Sequence, residues 1–170
     1  MMFLQTQREL EIFRFHIQEE SPRREQYLEQ NQFLEFILKA FIGQKALKDL
    51  EIASDYFSLE ALSNALKHLN MPNQLKAFRF KVSDDTINTV EKCGKARAEG
   101  LCKFLKSQSQ SLKELSIEFA LVLEANVVSY LMETLFELTE VESLGLQMNR
   151  VSTAEPEDFV NLIKYYEKTL

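Results

Sequence analysis

Cysteine, histidine, proline and glycine are all scarce: the 170 residues include two, two, three and four of them. Two cysteines do not build a disulfide scaffold. Cys93 and Cys102 lie nine positions apart on a predicted helix, face different directions and have no histidine nearby to complete a metal site, so both read as reduced thiols. Hydrophobic residues at 45% and charged residues at 27% are close to the average of soluble proteins, which excludes a disordered or collagen-like chain. Basic charge is also short, with 20 lysines and arginines against 26 acids and a net charge of −6, so a dedicated nucleic-acid binder is not expected. No apolar run approaches the ~18 residues that span a bilayer. The N-terminal MMFLQTQRELEIFRF reaches charges of both signs after four apolar residues, and neither a secretory core nor an acid-poor transit peptide is read there. A cytoplasmic, reducing location is the expectation.

Catalytic chemistry lacks its parts. His16 and His68 have no cysteine, serine or acidic neighbour at a spacing that makes a nucleophile or ligand set. Gly94-Lys95 resembles the end of a phosphate loop, but Thr89 stands where that loop needs glycine and Ala96 where it needs serine or threonine. The acids are spread along solvated helix faces and form no pair against a buried apolar run. No enzyme activity, cofactor or metal site is expected.

What the chain has is a repeat. At ~100–200 residues per domain the length fits a single domain over residues 1–170. Within it the pattern apolar-x-x-apolar-x-apolar recurs as LEIFRF, LKDLEI, LKAFRF, LKELSI and VESLGL. These begin at Leu10, Leu47, Leu75, Leu112 and Val141, at intervals of 37, 28, 37 and 29 residues. Segments such as LKAFRFKV alternate apolar and polar residues with period two and carry phenylalanine and valine, which predicts strands.

Helical spacing fills the intervals. Ser21 and Pro22 open a first helix with Tyr27, Leu34, Leu38 and Phe41 on one stripe, and Gly43 closes it. Leu62, Leu66 and Leu69 mark a second. A longer third carries Ile87, Val90, Gly94, Ala98, Leu101 and Leu105, whose small members admit a neighbouring backbone. Val128, Leu131, Leu135 and Leu138 form a fourth, and Phe159, Ile163 and Tyr166 a fifth, with Pro156 at its start. Regular leucine-rich stretches also occur in all-helical repeats, and an all-α architecture is the alternative to this α/β reading.

Over Leu10 to Leu170 the chain resembles the leucine-rich repeat proteins, in particular the ribonuclease-inhibitor-like subclass with a helix in every repeat. The resemblance implies a solenoid of about five strand-helix repeats with a curved parallel sheet. It departs from the family at the ladder asparagine, which only Asn149 supplies. Gln18, Asp55, Ser83 and Ala120 stand at the equivalent positions, so the turns must be satisfied in other ways. The resemblance also implies that the array continues or that its end is covered by another protein, since Leu170 falls 29 residues after Val141, where a sixth strand would start.

In such a fold, function sits on the concave sheet and on the helices. The third, fifth and seventh positions of each repeat point outward: Ile12, Arg14 and His16; Asp49, Glu51 and Ala53; Ala77, Arg79 and Lys81; Glu114, Ser116 and Glu118; Ser143, Gly145 and Gln147. Strands ~4.8 Å apart would set Arg14, Glu51 and Arg79 in a row of alternating charge and Lys81 beside Glu118. The functional reading is a mixed-charge surface for a protein partner, in which Arg79, Lys81 and Lys76 form a basic patch. A second surface comes from the helices. Phe33 and Phe36, in a segment apolar nearly all round, and Tyr130, Met132 and Phe136 would lie exposed unless covered. The implied role is a non-enzymatic interaction module or structural subunit, with a regulator of a partner enzyme or GTPase as the alternative. No nucleic acid is expected as partner.

Overall fold

Every one of the five repeats opens a strand, and each strand starts two residues after the repeat does. The computed structural model describes residues 10–17, 24–41, 44–54, 59–69, 71–82 and 95–151. Strand and helix alternate through it as β1 (Ile12–Ile17), α1 (Arg24–Ala40), β2 (Asp49–Ser54), α2 (Leu59–Leu66), β3 (Ala77–Val82), α3 (Lys95–Ser107), β4 (Glu114–Leu123), α4 (Ala125–Phe136) and β5 (Ser143–Val151). The strands form one all-parallel sheet in sequence order. This removes the all-α alternative: period-two segments bounded by turns pair as strands even where leucine spacing also suits a helix.

Register follows the repeat residue by residue. Ile12 aligns with Asp49, Asp49 with Ala77, Ala77 with Glu114 and Glu114 with Ser143, the third position of all five repeats. The intervening positions, such as Leu50, Ile52, Phe78, Phe80, Leu115 and Ile117, are buried and make one face of the sheet the floor of the core. The helices roof it, with α1 packed beside α2, α2 beside α3 and α3 beside α4. Phe78 sits at the centre, its ring 5.3 Å from Phe104 of α3 edge-on and 5.3 Å from Phe80, which in turn meets Phe119 at 5.7 Å. Leu69 and Leu138 lie just past their helices and are buried there.

The turns into the strands repeat one hydrogen-bond pattern. The carbonyl of Glu11 accepts from the N–H groups of both Lys48 and Asp49, Lys48 from Lys76 and Ala77, Lys76 from Lys113 and Glu114, and Lys113 from Glu142 and Ser143, all at 2.7–3.0 Å. Glutamines complete these turns. The buried Gln108 accepts from the N–H groups of Gln74 and Leu75 at 3.0 Å each and donates to the carbonyl of Met71. Gln74 in turn donates to the carbonyls of Gln44 and Leu47. Backbone groups in tight interior turns are thus satisfied by long amides, which reach from one repeat to the next. The matched ladder positions Gln18, Asp55 and Ser83, and the side chains of Ala120 and Asn149, lie outside the described residues. So do Ser21, Pro22, Gly43, the stretch from Ile87 to Gly94, Cys93 and the expected fifth helix.

Cys102 is fully buried on α3, and burial pushes its thiol pKa up, weakly opposed by the Thr134 hydroxyl. The reactive thiolate is therefore suppressed. In a Cys93→Ser chain, labelling of Cys102 by Ellman's reagent should stay slow in native buffer, begin only above the usual thiol pH range, and become fast in urea. Fast native labelling at neutral pH would contradict the burial.

Candidate functional site

Among the described residues no helix covers the second face of the sheet, which carries the charges in aligned rows. Parallel sheets are ordinarily covered on both faces; here the second face is made of the third, fifth and seventh repeat positions, and the described side chains on it are polar, charged or small apart from Ile12. Arg14, Glu51 and Arg79 are aligned neighbours on β1, β2 and β3, and His16, Ala53 and Lys81 form the next row.

Arg79 is the centre of this face. Its nearest partners are not the aligned Glu51, 4.0 Å away, but two acids lying one row back. Nε and Nη2 donate to the two carboxylate oxygens of Glu114 at 2.9 and 2.7 Å, and Nη1 donates to Asp49 at 2.7 Å. Asp49 and Glu114 both align with Ala77, whose methyl leaves room for the guanidinium to fold back, and Ala77 is itself buried. The forked contact with Glu114 is the strong, bidentate kind, and it pushes the guanidinium pKa further above its ordinary value, with burial opposing and Asp49 assisting.

The neighbouring charges are paired as well. Arg14 lies 3.4 Å from both Asp49 and Glu51, His16 Nε2 lies 2.7 Å from Glu51, and Lys81 lies 3.1 Å from Glu118. The expected row is therefore present. Of the three residues of the expected basic patch, Arg79 and Lys81 are paired with acids of their own sheet, and Lys76 makes no ion pair with a described residue. Asp49 and Glu114 were placed on this face by the repeat, but their grip on Arg79 depends on the small Ala77 between them. Exposed pairs of this kind contribute ~0–1 kcal/mol each, so the network holds side chains in place more than it holds the fold together. Beyond Glu114 and Glu118 of β4 the face changes character, since Ser116, Ser143, Gly145 and Gln147 are uncharged and solvent-accessible.

The helix surface divides. Phe33 and Phe36 of α1 are 48% and 47% exposed, and with Ile12 at 54% they are the large exposed hydrophobics of the described residues. Phe33 leans on Phe15 of β1 at a ring distance of 5.8 Å, so the apolar surface is gathered at the β1–α1 end. Tyr130, Met132 and Phe136 of α4, expected to lie exposed unless covered, are covered to different degrees. Met132 is buried, and Tyr130 and Phe136 pack partly into the core, because α3 lies against α4 and sets Lys95 Nζ 4.3 Å above the Tyr130 ring.

No helix among the described residues is long and apolar enough to cross a membrane. No protein-family model matches the chain, and no curated protein matches it in sequence.

Proposed function

We propose that the chain is a leucine-rich-repeat solenoid of the ribonuclease-inhibitor-like kind, acting as a non-enzymatic protein-interaction module or as a structural subunit of a multi-protein assembly. The observation that supports this is a face of an all-parallel sheet that no described helix covers. A face that no described element covers must be wetted or covered by something else, and this one carries an ordered ion-pair network around Arg79. Arg14, His16, Glu51, Lys76, Arg79, Lys81 and Glu118 are the residues assigned to partner binding there. Phe33 and Phe36 form a second contact, suited to a neighbouring subunit because aromatic side chains dominate interface cores.

Ordered side chains lower the entropy that a partner must remove on docking. A photo-crosslinking amino acid at Ser116 or Gln147 on the open face should give adducts in source cells that protease destroys and nuclease leaves intact, whereas the same group at Glu133, exposed on α4, should give none. Absence of adducts from both sheet positions, or equal adducts at Glu133, would overturn the assignment of the open face.

A further inference from the structure

One residue precedes each strand, and read across the sheet these are Glu11, Lys48, Lys76, Lys113 and Glu142. Their backbones are held in line by the shared-carbonyl bonds that join each repeat to the next. At ~4.8 Å per strand the edge at which the strands begin therefore carries the sequence minus, plus, plus, plus, minus. The outer lysines turn away from the centre: Lys48 Nζ lies 2.7 Å from Glu11, and Lys113 Nζ lies 3.0 Å from Glu140 and 2.8 Å from Glu142. Lys76 is exposed between them and makes no ion pair with a described residue.

Lys76 adds no ion pair among the described residues. Like charges on adjacent strands repel, and an acid there would give a fully alternating row of five. A structural requirement would have favoured the acid, whereas an anion supplied from outside accounts for the lysine.

We infer that this edge binds an acidic segment of the partner protein, with one carboxylate on Lys76 and its neighbours taking Lys48 and Lys113 from Glu11, Glu140 and Glu142, which basic residues at the ends of the segment then engage. This rests on the interaction-module reading and names the chemistry of its partner. An extended chain presents same-side residues ~6.6–6.8 Å apart, within lysine reach of the row. Nucleic acid and anionic membrane are disfavoured by the same geometry. The fences of Glu11, Glu140 and Glu142 limit the positive stretch to three charges, and the chain carries −6 overall, so a long polyanion would run over acids at both ends.

The test is fluorescence anisotropy with the full chain at low ionic strength, using a labelled peptide of alternating glutamate and serine flanked by lysines. Controls are the same peptide with glutamine for glutamate and a single-stranded oligonucleotide of equal length. The glutamate peptide should bind at least about tenfold more tightly than either control, and more weakly as salt rises. Lys76→Glu should weaken it at least about tenfold while Tm holds or rises by ~1–2 °C. Equal binding of the two peptides, no binding of the glutamate peptide, an unchanged affinity in Lys76→Glu, or tighter binding of the oligonucleotide would each overturn the inference. If crosslinking from Ser116 to a protein persists in that event, the acidic-segment assignment falls alone; if it is lost too, the interaction-module reading falls with it.

Discussion

Gln108→Ala should lower unfolding stability by roughly 3–5 kcal/mol, since each buried polar group left unpaired costs ~1–3 kcal/mol and this side chain serves three. Its carboxamide oxygen accepts from Gln74 and Leu75, and its nitrogen donates to Met71. The residue is wholly buried. Alanine therefore orphans two N–H groups and one carbonyl at the turn into β3 and leaves a void the size of the missing amide. Gln108→Glu keeps the shape but aims a carboxylate oxygen at the Met71 carbonyl, so it should be no better. Gln74→Ala provides the scale: its amide is half-buried and water can replace it, for a loss of about 1 kcal/mol. Urea unfolding at constant m-value reads all three. A Gln108→Ala loss below that of Gln74→Ala would mean that the turn draws its hydrogen bonds from elsewhere.

The contrast between Gln108 and Arg79 shows what was legible in the residues. Arg79 lies on a period-two face, where each residue's direction is fixed by its parity and each neighbour by the repeat register. The rows of charge around it follow from the residues alone, and β1 to β5 align at the expected third positions. What parity does not give is the length of a side chain's reach: Arg79 folds back over Ala77 to Asp49 and Glu114 rather than pairing with the aligned Glu51. Gln108 has no periodic signature at all. A glutamine after a helix reads as surface, and only the closing of the turn from Met71 to Leu75 around it makes it interior.

Helices were legible on one side only. The stripes of leucine facing the sheet are buried as their spacing implies, and Phe33 and Phe36 are exposed at the end of the helix layer. Lateral contacts depend on the offset between neighbouring helices, which no single segment encodes. Tyr130 and Phe136 are partly buried against the core, and Lys95 of α3 lies over the Tyr130 ring. The lysine row has the opposite history. LKDL, LKAF and LKEL carry the same residue at the same repeat position, yet its meaning depends on the flanking acids and on which lysines they engage.

Gly100→Ala is the second large effect, and its sign is diagnostic. Helix propensity alone makes alanine better than glycine inside a helix by ~1 kcal/mol. Gly100, however, lies where α3 meets α2: a Cβ there would stand 2.0 Å from the Ser63 carbonyl oxygen and 2.7 Å from Lys67 Cγ. The lysine chain can swing aside, but the carbonyl belongs to the helix backbone. Relief requires the helices to part by more than 1 Å, judged against the ~3.5 Å of an ordinary contact. That movement also pulls apart the bonds in which the Ser63 hydroxyl oxygen accepts from Gly100 N–H at 2.7 Å and Leu101 N–H at 3.2 Å. Overpacking at ~1–3 kcal/mol and two weakened buried bonds at ~1 kcal/mol each give an expected net loss of roughly 2–4 kcal/mol. Ser63→Ala should cost about 1–2 kcal/mol by itself. Because the two sites share the same bonds, the double variant should lose less than the sum of the single losses. A stabilised Gly100→Ala chain would mean that the two helices do not approach this closely, and strict additivity would mean that the hydroxyl does not bind across the helix junction.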